Sequence, residues 1–511
     1  MANRAAPLLA RAAETPEATA LIFEDVPISY AKLAGHARDA MNGLAALGVG
    51  RGDRVGLWLP STPDFIIAQQ ALFLLGAVVT PLNILYRAQE VEHAVACCDL
   101  GRIITTGTLA ATLADAPPCP LIAMDLATDR GEVRSLPQAI GNAQPCDSIA
   151  DPDDEELAML LLTSATTGKA KGVMLSIANL AANYDRTPDW LGVHRRSVIL
   201  CALPLYNTFG LNQGINAMLA TGCAMVLLPR FDAEACIAAI AEHRCTFLPA
   251  VPTMLQKIVD HPAASREALG SLRTVMTGGA PVPSPLLRRL LELAPDVELL
   301  TGYGLTEATA LVTLTQVRLG EDGRIGRERT IGRVLDGIDI AILDEDGRMQ
   351  PAGASGEIAV RGPNVMAGYY HAPQDNAAAL QGGWLRTGDI GYIDAEGYAF
   401  IVDRKKDVII RGGQNIYPAE IEEVLYQVPG VTEAAVVARP DPVLGEVPVA
   451  FVALKAGCAP GIEQMTDHCR ASLASYKCPA SIEIRDELPK GPTGKILRRA
   501  LRPAPGAAGT P

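Results

Sequence analysis

The sequence predicts an α/β protein built from more than one domain. Its 511 residues exceed what one ordinary hydrophobic core holds. Helix and strand patterns alternate along the chain, and the texture changes near residue 332 and again after Arg404. Residues 30–47 carry the apolar spacing of an amphipathic helix, 54–59 read as a strand, 64–75 as a helix and 102–106 as a further strand. A Pro- and Asp-rich loop at 145–154 precedes the strand-like run ELAMLLL. Segments 197–203, 211–220, 224–228, 233–243, 246–249 and 252–259 continue the alternation, which implies layered sheets covered by helices. From 332 to 400, short segments separated by turns such as DEDG and DAEG suggest a β-rich subdomain. A compact α+β pattern follows, with strands at 408–410, 434–438 and 447–454 and helices at 418–426 and 465–473. The tail RPAPGAAGTP, rich in Pro, Gly and Ala, is expected to be disordered.

Composition narrows the function classes. Hydrophobic residues make up 49% and charged residues 20%, as in a soluble globular protein. No apolar run reaches the roughly 18 to 20 residues of a membrane span, and the longest candidate, 214–228, is interrupted by Asn216 and Thr221. The start MANRAAPLLARAAETPE has neither a long apolar stretch nor a clear cleavage site, so it reads as mature sequence and a cytoplasmic location is expected. Eleven cysteines form no CxxC pair, with only Cys97 and Cys98 adjacent, and seven histidines form no HxxxH or HExxH pattern. Reduced thiols and no structural metal are therefore expected. A net charge of −13 argues against a nucleic-acid partner.

The most informative stretch is residues 161–174, LLTSATTGKAKGVM. Hydroxyls of Thr163, Ser164, Thr166 and Thr167 and the backbone N–H groups around Ala165 can wrap phosphate oxygens. Gly168 and Gly172 let the backbone approach closely, while Lys169 and Lys171 add positive charge. It is not a Walker A loop, because Ala170 follows Lys169 and no glycine stands six positions before that lysine. Taken alone, a Thr- and Gly-rich surface turn is the plain alternative.

Four more segments follow in order: TGYGLTEA at 301–308, WLRTGDIG at 384–391, VDRKKDVIIRGGQNIYPAE at 402–420 and LPKGPTGKILRR at 488–499. With the first, they resemble the signatures of the acyl-adenylate-forming (AMP-binding) superfamily, in its acyl-CoA synthetase and aryl-CoA ligase branch. The resemblance implies a large N-terminal domain of several subdomains with layered sheets and helices, residues 1–403, and a small mobile α+β lid at 404–502, before the tail 503–511. It implies ATP, Mg²⁺ and CoA as cofactor and co-substrates and a small carboxylic acid as substrate. In this resemblance Tyr303 lies beside adenine, Thr306 contacts the α-phosphate, Glu307 helps hold Mg²⁺ as a hard oxygen ligand, and Asp389 binds the ribose hydroxyls. Arg404 contacts ribose, Lys406 is the pivot of the lid, and Lys495 bridges the substrate carboxylate and the α-phosphate. Gly279, Ala280, Gly302, Gly304, Gly412 and Gly413 complete the nucleotide-binding set.

ATP and CoA are anionic, so their sites must be locally basic against the global charge. Arg404 to Lys406, Arg411, Lys477 and the run from Lys490 to Arg499 supply this, although Lys405, Arg498 and Arg499 individually read as solvated surface charge. The acyl pocket implied by the resemblance includes Tyr206, Asn207, Phe209, Gly278 and Ala308. It lacks the Asp that an amino-acid-activating site carries, which favours an aliphatic or aromatic monocarboxylic acid. Three positions depart from the family pattern: Ala165 replaces a Gly, Ala170 a Pro, and Asn207 a His, so no imidazolium is available there. Two alternatives remain beside a CoA ligase: an enzyme that loads a separate carrier protein, and a non-catalytic nucleotide-binding relative. A homodimer is a possible assembly.

Overall fold

The computed structural model describes residues 3–113, 117–146, 148–163, 170–279, 282–318, 320, 325–326, 330–412, 414–455, 457–491 and 496–502. Three sheets carry these residues. In the eight-stranded sheet, Arg54–Leu57, Val78–Pro81, Arg102–Thr105, Leu121–Ala123 and Val133–Ser135 run parallel. Leu157–Thr163 joins them beside Val78–Pro81, and Lys171–Ser176 returns antiparallel to it. The fourteen-stranded sheet has a parallel centre of Ala224–Leu227, Val198–Cys201, Phe247–Ala250, Thr274–Gly278 and Glu298–Leu305.

Helices supply most of the parallel crossovers, although Leu121–Ala123 passes to its parallel neighbour Val133–Ser135 without one. Tyr30–Ala46 starts at Ser29, whose hydroxyl accepts from the Lys32 N–H, and buries Leu33, Ala37, Met41 and Leu44. Pro63–Leu75 is mostly apolar and largely buried, its Gln69 and Gln70 included, and it ends at Gly76 in a left-handed turn. Ala233–His243 is capped by Asp232.

The β-rich stretch is not a detached layer. Ala310–Val317 turns back along Glu298–Leu305, Thr330–Val334 pairs with it, and Ala399–Arg404, Trp384–Ile393, Gly356–Arg361 and Asp339–Leu343 extend the same sheet. The switch from parallel to antiparallel pairing comes at Ala310–Val317, before the change in texture near 332, and from there short turns replace helical crossovers.

The large sheet ends at Arg404, and Ile409–Arg411 opens a five-stranded sheet with Gln414–Ile416, Val431–Asp441, Gly445–Leu454 and Ser481–Arg485. Helices Pro418–Tyr426 and Ile462–Ser472 close one core around Ile409, Ile421, Leu425, Val436, Val452 and Met465. A second small core holds Phe451, Leu488 and Leu501. Burial of a Leu is worth about 1.5–3 kcal/mol, so Leu488 and Leu501 pin the chain to the sheet on both sides of residues 492–495. All eleven cysteines are free thiols. No described helix is long and apolar enough to cross a membrane.

Candidate active site

Thr163 and Lys171, the described residues that flank the phosphate-type segment most closely in the antiparallel pair, face each other across it. Residues 164–169 themselves, Ser164, Ala165, Thr166, Thr167, Gly168 and Lys169, lie outside the described residues. The strand pair is held at Ala170 from the helix Ala88–Cys98, where His93 Nε2 and Cys97 Sγ lie 3.0 and 3.3 Å from the Ala170 carbonyl. Lys171 pairs with Asp375 and lies over the Tyr369 ring, 5.2 Å from its centre.

Tyr303, Asp389 and Arg404 come together although they are far apart in sequence. Asp389 and Arg404 are opposite one another on neighbouring strands. Arg404 Nε lies 2.7 Å from Asp389 Oδ1, and the Tyr303 hydroxyl donates to Oδ2 at 2.5 Å. Asp389 is 2% exposed, whereas the Arg404 side chain is half exposed. Burial, reinforced by the Asp389 carboxylate, pushes the Tyr303 phenol well above its ordinary pKa, so it stays a donor.

The strand Glu298–Leu305 places the next residues of the motif. A Cβ added to Gly304 would collide with the Ala310 carbonyl, and one at Gly278 would sit 2.6 Å from the Gly302 carbonyl. Glycine is thus required where these backbones cross. A tight turn, Thr306–Ala308, then turns Thr306 toward Thr208, with 3.4 Å between their hydroxyls. Glu307 Oε1 accepts from the Tyr369 hydroxyl at 3.0 Å, and its backbone carbonyl accepts from the Met366 N–H at 2.9 Å. Its other carboxylate oxygen makes no hydrogen bond among the described residues. A hard oxygen donor held on one side and available on the other fits Mg²⁺.

Tyr369 and Asp375 are site residues that sequence reasoning missed. They come from GYYHAPQD, a segment whose strand Gly368–Tyr369 pairs with Lys171–Ser176 and so links Glu307 to the phosphate hairpin. No signal within GYYHAPQD points to them, because the strand it pairs with is distant in sequence. Burial, then the neighbouring Glu307, raises the Tyr369 phenol.

Around the acyl side, Asn207 precedes the short helix Thr208–Gly210, which runs into a π-helical turn, Leu211–Asn216. Such turns are frequent at functional sites. Asn207 Oδ1 is buried with no partner among the described residues. Burial, then nearby Tyr86, pushes the Tyr206 phenol up to about 12. Phe209 is partly buried against the main core, Ala308 is buried, and Gly278 and Gly302 are paired across adjacent strands. Gly279 follows with φ of 79°.

In the C-terminal part, Lys406 lies in the turn between the large and small sheets, and Gly412 is exposed with φ of 56°. Ala280, Gly413 and Lys495 lie outside the described residues, as does the tail. Arg498 is not a solvated surface charge: its guanidinium meets Asp403, Asp407 and Glu422.

A model of the AMP-binding enzyme family matches residues 8–370, and a model of the AMP-binding enzyme C-terminal domain matches residues 420–495. The chain belongs to the AMP-binding enzyme family, in its AMP-forming acyl-CoA synthetase branch. It is 36% identical to a feruloyl-CoA synthase from Amycolatopsis sp over 96% of this chain and 97% of that one. Among solved structures, ATP-bound MatB from Rhodopseudomonas palustris superposes with a TM-score of 0.88 at 30% identity, covering 98% of both chains. O-succinylbenzoate coenzyme A synthetase from Bacillus subtilis, in complex with ATP and a magnesium ion, gives 0.84 at 31% identity over 97% of this chain and 98% of that one.

Proposed function

We propose that Tyr303, Asp389 and Arg404 hold the adenosine end of ATP, that residues 163–171 and Thr306 hold its phosphates, and that Lys495 bridges the α-phosphate and the acid. The buried Asp389 carboxylate, fixed by Tyr303 at 2.5 Å and Arg404 at 2.7 Å, is the observation that carries this reading. Glu307 would hold Mg²⁺, which when bound offsets phosphate charge.

The chain is an ATP-dependent acid–thiol ligase. One oxygen of the acid attacks the α-phosphorus and pyrophosphate leaves; the CoA thiol then attacks the acyl carbon, loses its proton, and AMP leaves. The lining by Tyr206, Asn207, Phe209, Gly278 and Ala308 carries no charged side chain and supports an uncharged aromatic or aliphatic acyl group. The likeness to a feruloyl-CoA synthase supports the aromatic choice. A cytoplasmic homodimer belongs to the same proposal, to be read by fractionation and sedimentation.

Pyrophosphate release with Mg-ATP across fatty, aryl and dicarboxylic acids, with and without CoA, tests the reading. Release with aryl or fatty acids and CoA-dependent AMP formation is expected; turnover confined to dicarboxylic acids would sink the uncharged pocket. Lys406 is proposed as the pivot between residues 1–403 and 404–502. Lys406→Pro fixes φ at the turn and should slow thioester formation from preformed acyl-AMP by about 10-fold or more while leaving pyrophosphate exchange intact. An unchanged thioester rate in stopped-flow would refute the pivot.

A further inference from the structure

Outside the nucleotide-binding set, Arg498 pairs with three carboxylates. Its Nη2 donates to both Glu422 oxygens at 2.8 and 2.7 Å, and its Nη1 lies 3.3 Å from Asp403 Oδ1 and from Asp407 Oδ2. The three carboxylates come from separate elements. Asp403 lies on the last strand of the large sheet, Asp407 is in the turn after it, and Glu422 is on the helix Pro418–Tyr426.

These acids are built into the backbone as well. Asp403 accepts from the Arg404 and Ala419 N–H groups at 2.7 and 2.9 Å, and Glu422 accepts from the Val436 N–H at 2.8 Å. Burial pushes both carboxyls up, and the Arg498 charge opposes that shift. Burial also works against the Arg498 charge, but Glu422 and Asp403 more than offset it. Arg502 adds a second tie, to Asp407 at 2.7 Å.

The arrangement has a direction. Arg498 stands three residues after Lys495, and Asp403 immediately precedes Arg404, whose guanidinium pairs with Asp389. Leu497, beside Arg498, donates its N–H to the Pro489 carbonyl at 2.7 Å. We propose that Arg498 is a positioning residue for adenylation, tying the Lys495 segment to the strand that carries Arg404. The inference rests on the roles proposed above for Lys495 and Asp389.

The planar guanidinium makes four contacts through two nitrogens, a fork on Glu422 and two bonds beside it, which a single ammonium with three donors does not reproduce. Misplacing a reacting group by about 1 Å costs on the order of 100-fold in rate. Arg498→Met should therefore lower the kcat of acid-dependent ATP–pyrophosphate exchange by about 100-fold while KM for ATP moves by less than about threefold. Arg498→Lys should recover part of the loss.

The decisive comparison is the double variant. If Arg498 acts through Lys495, Lys495→Ala with Arg498→Met is no slower than Lys495→Ala alone. Additive losses, or a wild-type rate in Arg498→Met, overturn the inference. Should Arg498→Met melt early, Arg498→Met with Glu422→Gln removes a buried charge left behind and carries the same comparison. Full exchange in Lys495→Ala would instead sink the reading of Lys495, a result distinct from a dead Lys495→Ala beside an unaffected Arg498→Met.

Discussion

Lys495→Ala is expected to lower acyl-adenylate formation by about 10²–10³-fold while thioester formation from preformed acyl-AMP changes far less. The split follows from charge. In the first half-reaction two anions, the acid and the α-phosphate, must meet while negative charge builds on the phosphate oxygens. A lysine ammonium placed between them both orients the attack and offsets that charge. In the second half-reaction a neutral acyl carbon receives the thiol, and the same ammonium has little left to stabilise. Rapid-quench measurement of each half-reaction separates the two. Equal losses in both would show that Lys495 acts on binding or folding rather than on the first transition state.

The second large effect is expected at Asp389. Two hydrogen bonds from ribose hydroxyls to a carboxylate, at about 1.5–3 kcal/mol each, amount to about 3–6 kcal/mol, or roughly 10²–10⁴-fold in ATP affinity. Asp389→Ala also leaves the Tyr303 hydroxyl and the Arg404 guanidinium without the acceptor they share at 2.5 and 2.7 Å. Asp389→Asn retains one acceptor oxygen and the side-chain volume, so its loss should fall between wild type and Ala. Calorimetric titration with Mg-ATP gives the affinities, and thermal melting reports the cost to the fold. A wild-type dissociation constant in a folded Asp389→Ala protein would remove Asp389 from the nucleotide site.

Much of the architecture was legible before any coordinates. Local physics marked the helix at Tyr30–Ala46, the helix Pro418–Tyr426 and the strand leading into the phosphate hairpin, because apolar periodicity and end signals are properties of neighbouring residues. The motif segments at 301–308, 384–391 and 402–420 were legible for the same reason: each is short and contiguous. The sheet order was not. The strands between 330 and 404 read as a separate β-rich unit, yet they extend the sheet that contains Ala224–Leu227, since pairing between distant strands leaves no mark on the spacing within either.

From the order of residues alone follow the α/β class, the polar and glycine-rich loops that can meet phosphates, and the residue types that carry charge at each motif. Only the tertiary structure decided which of those charges meet. Tyr303 and Asp389 are 86 residues apart, Lys171 and Asp375 are 204 apart, and Arg498 reaches Asp403 across 95. Tyr369 meets Glu307 only because its strand adds to the phosphate hairpin. The physical reason is that a side chain's chemistry is local, whereas its partner is chosen by strand order and by the closure of long loops, which depend on the packing of the whole chain.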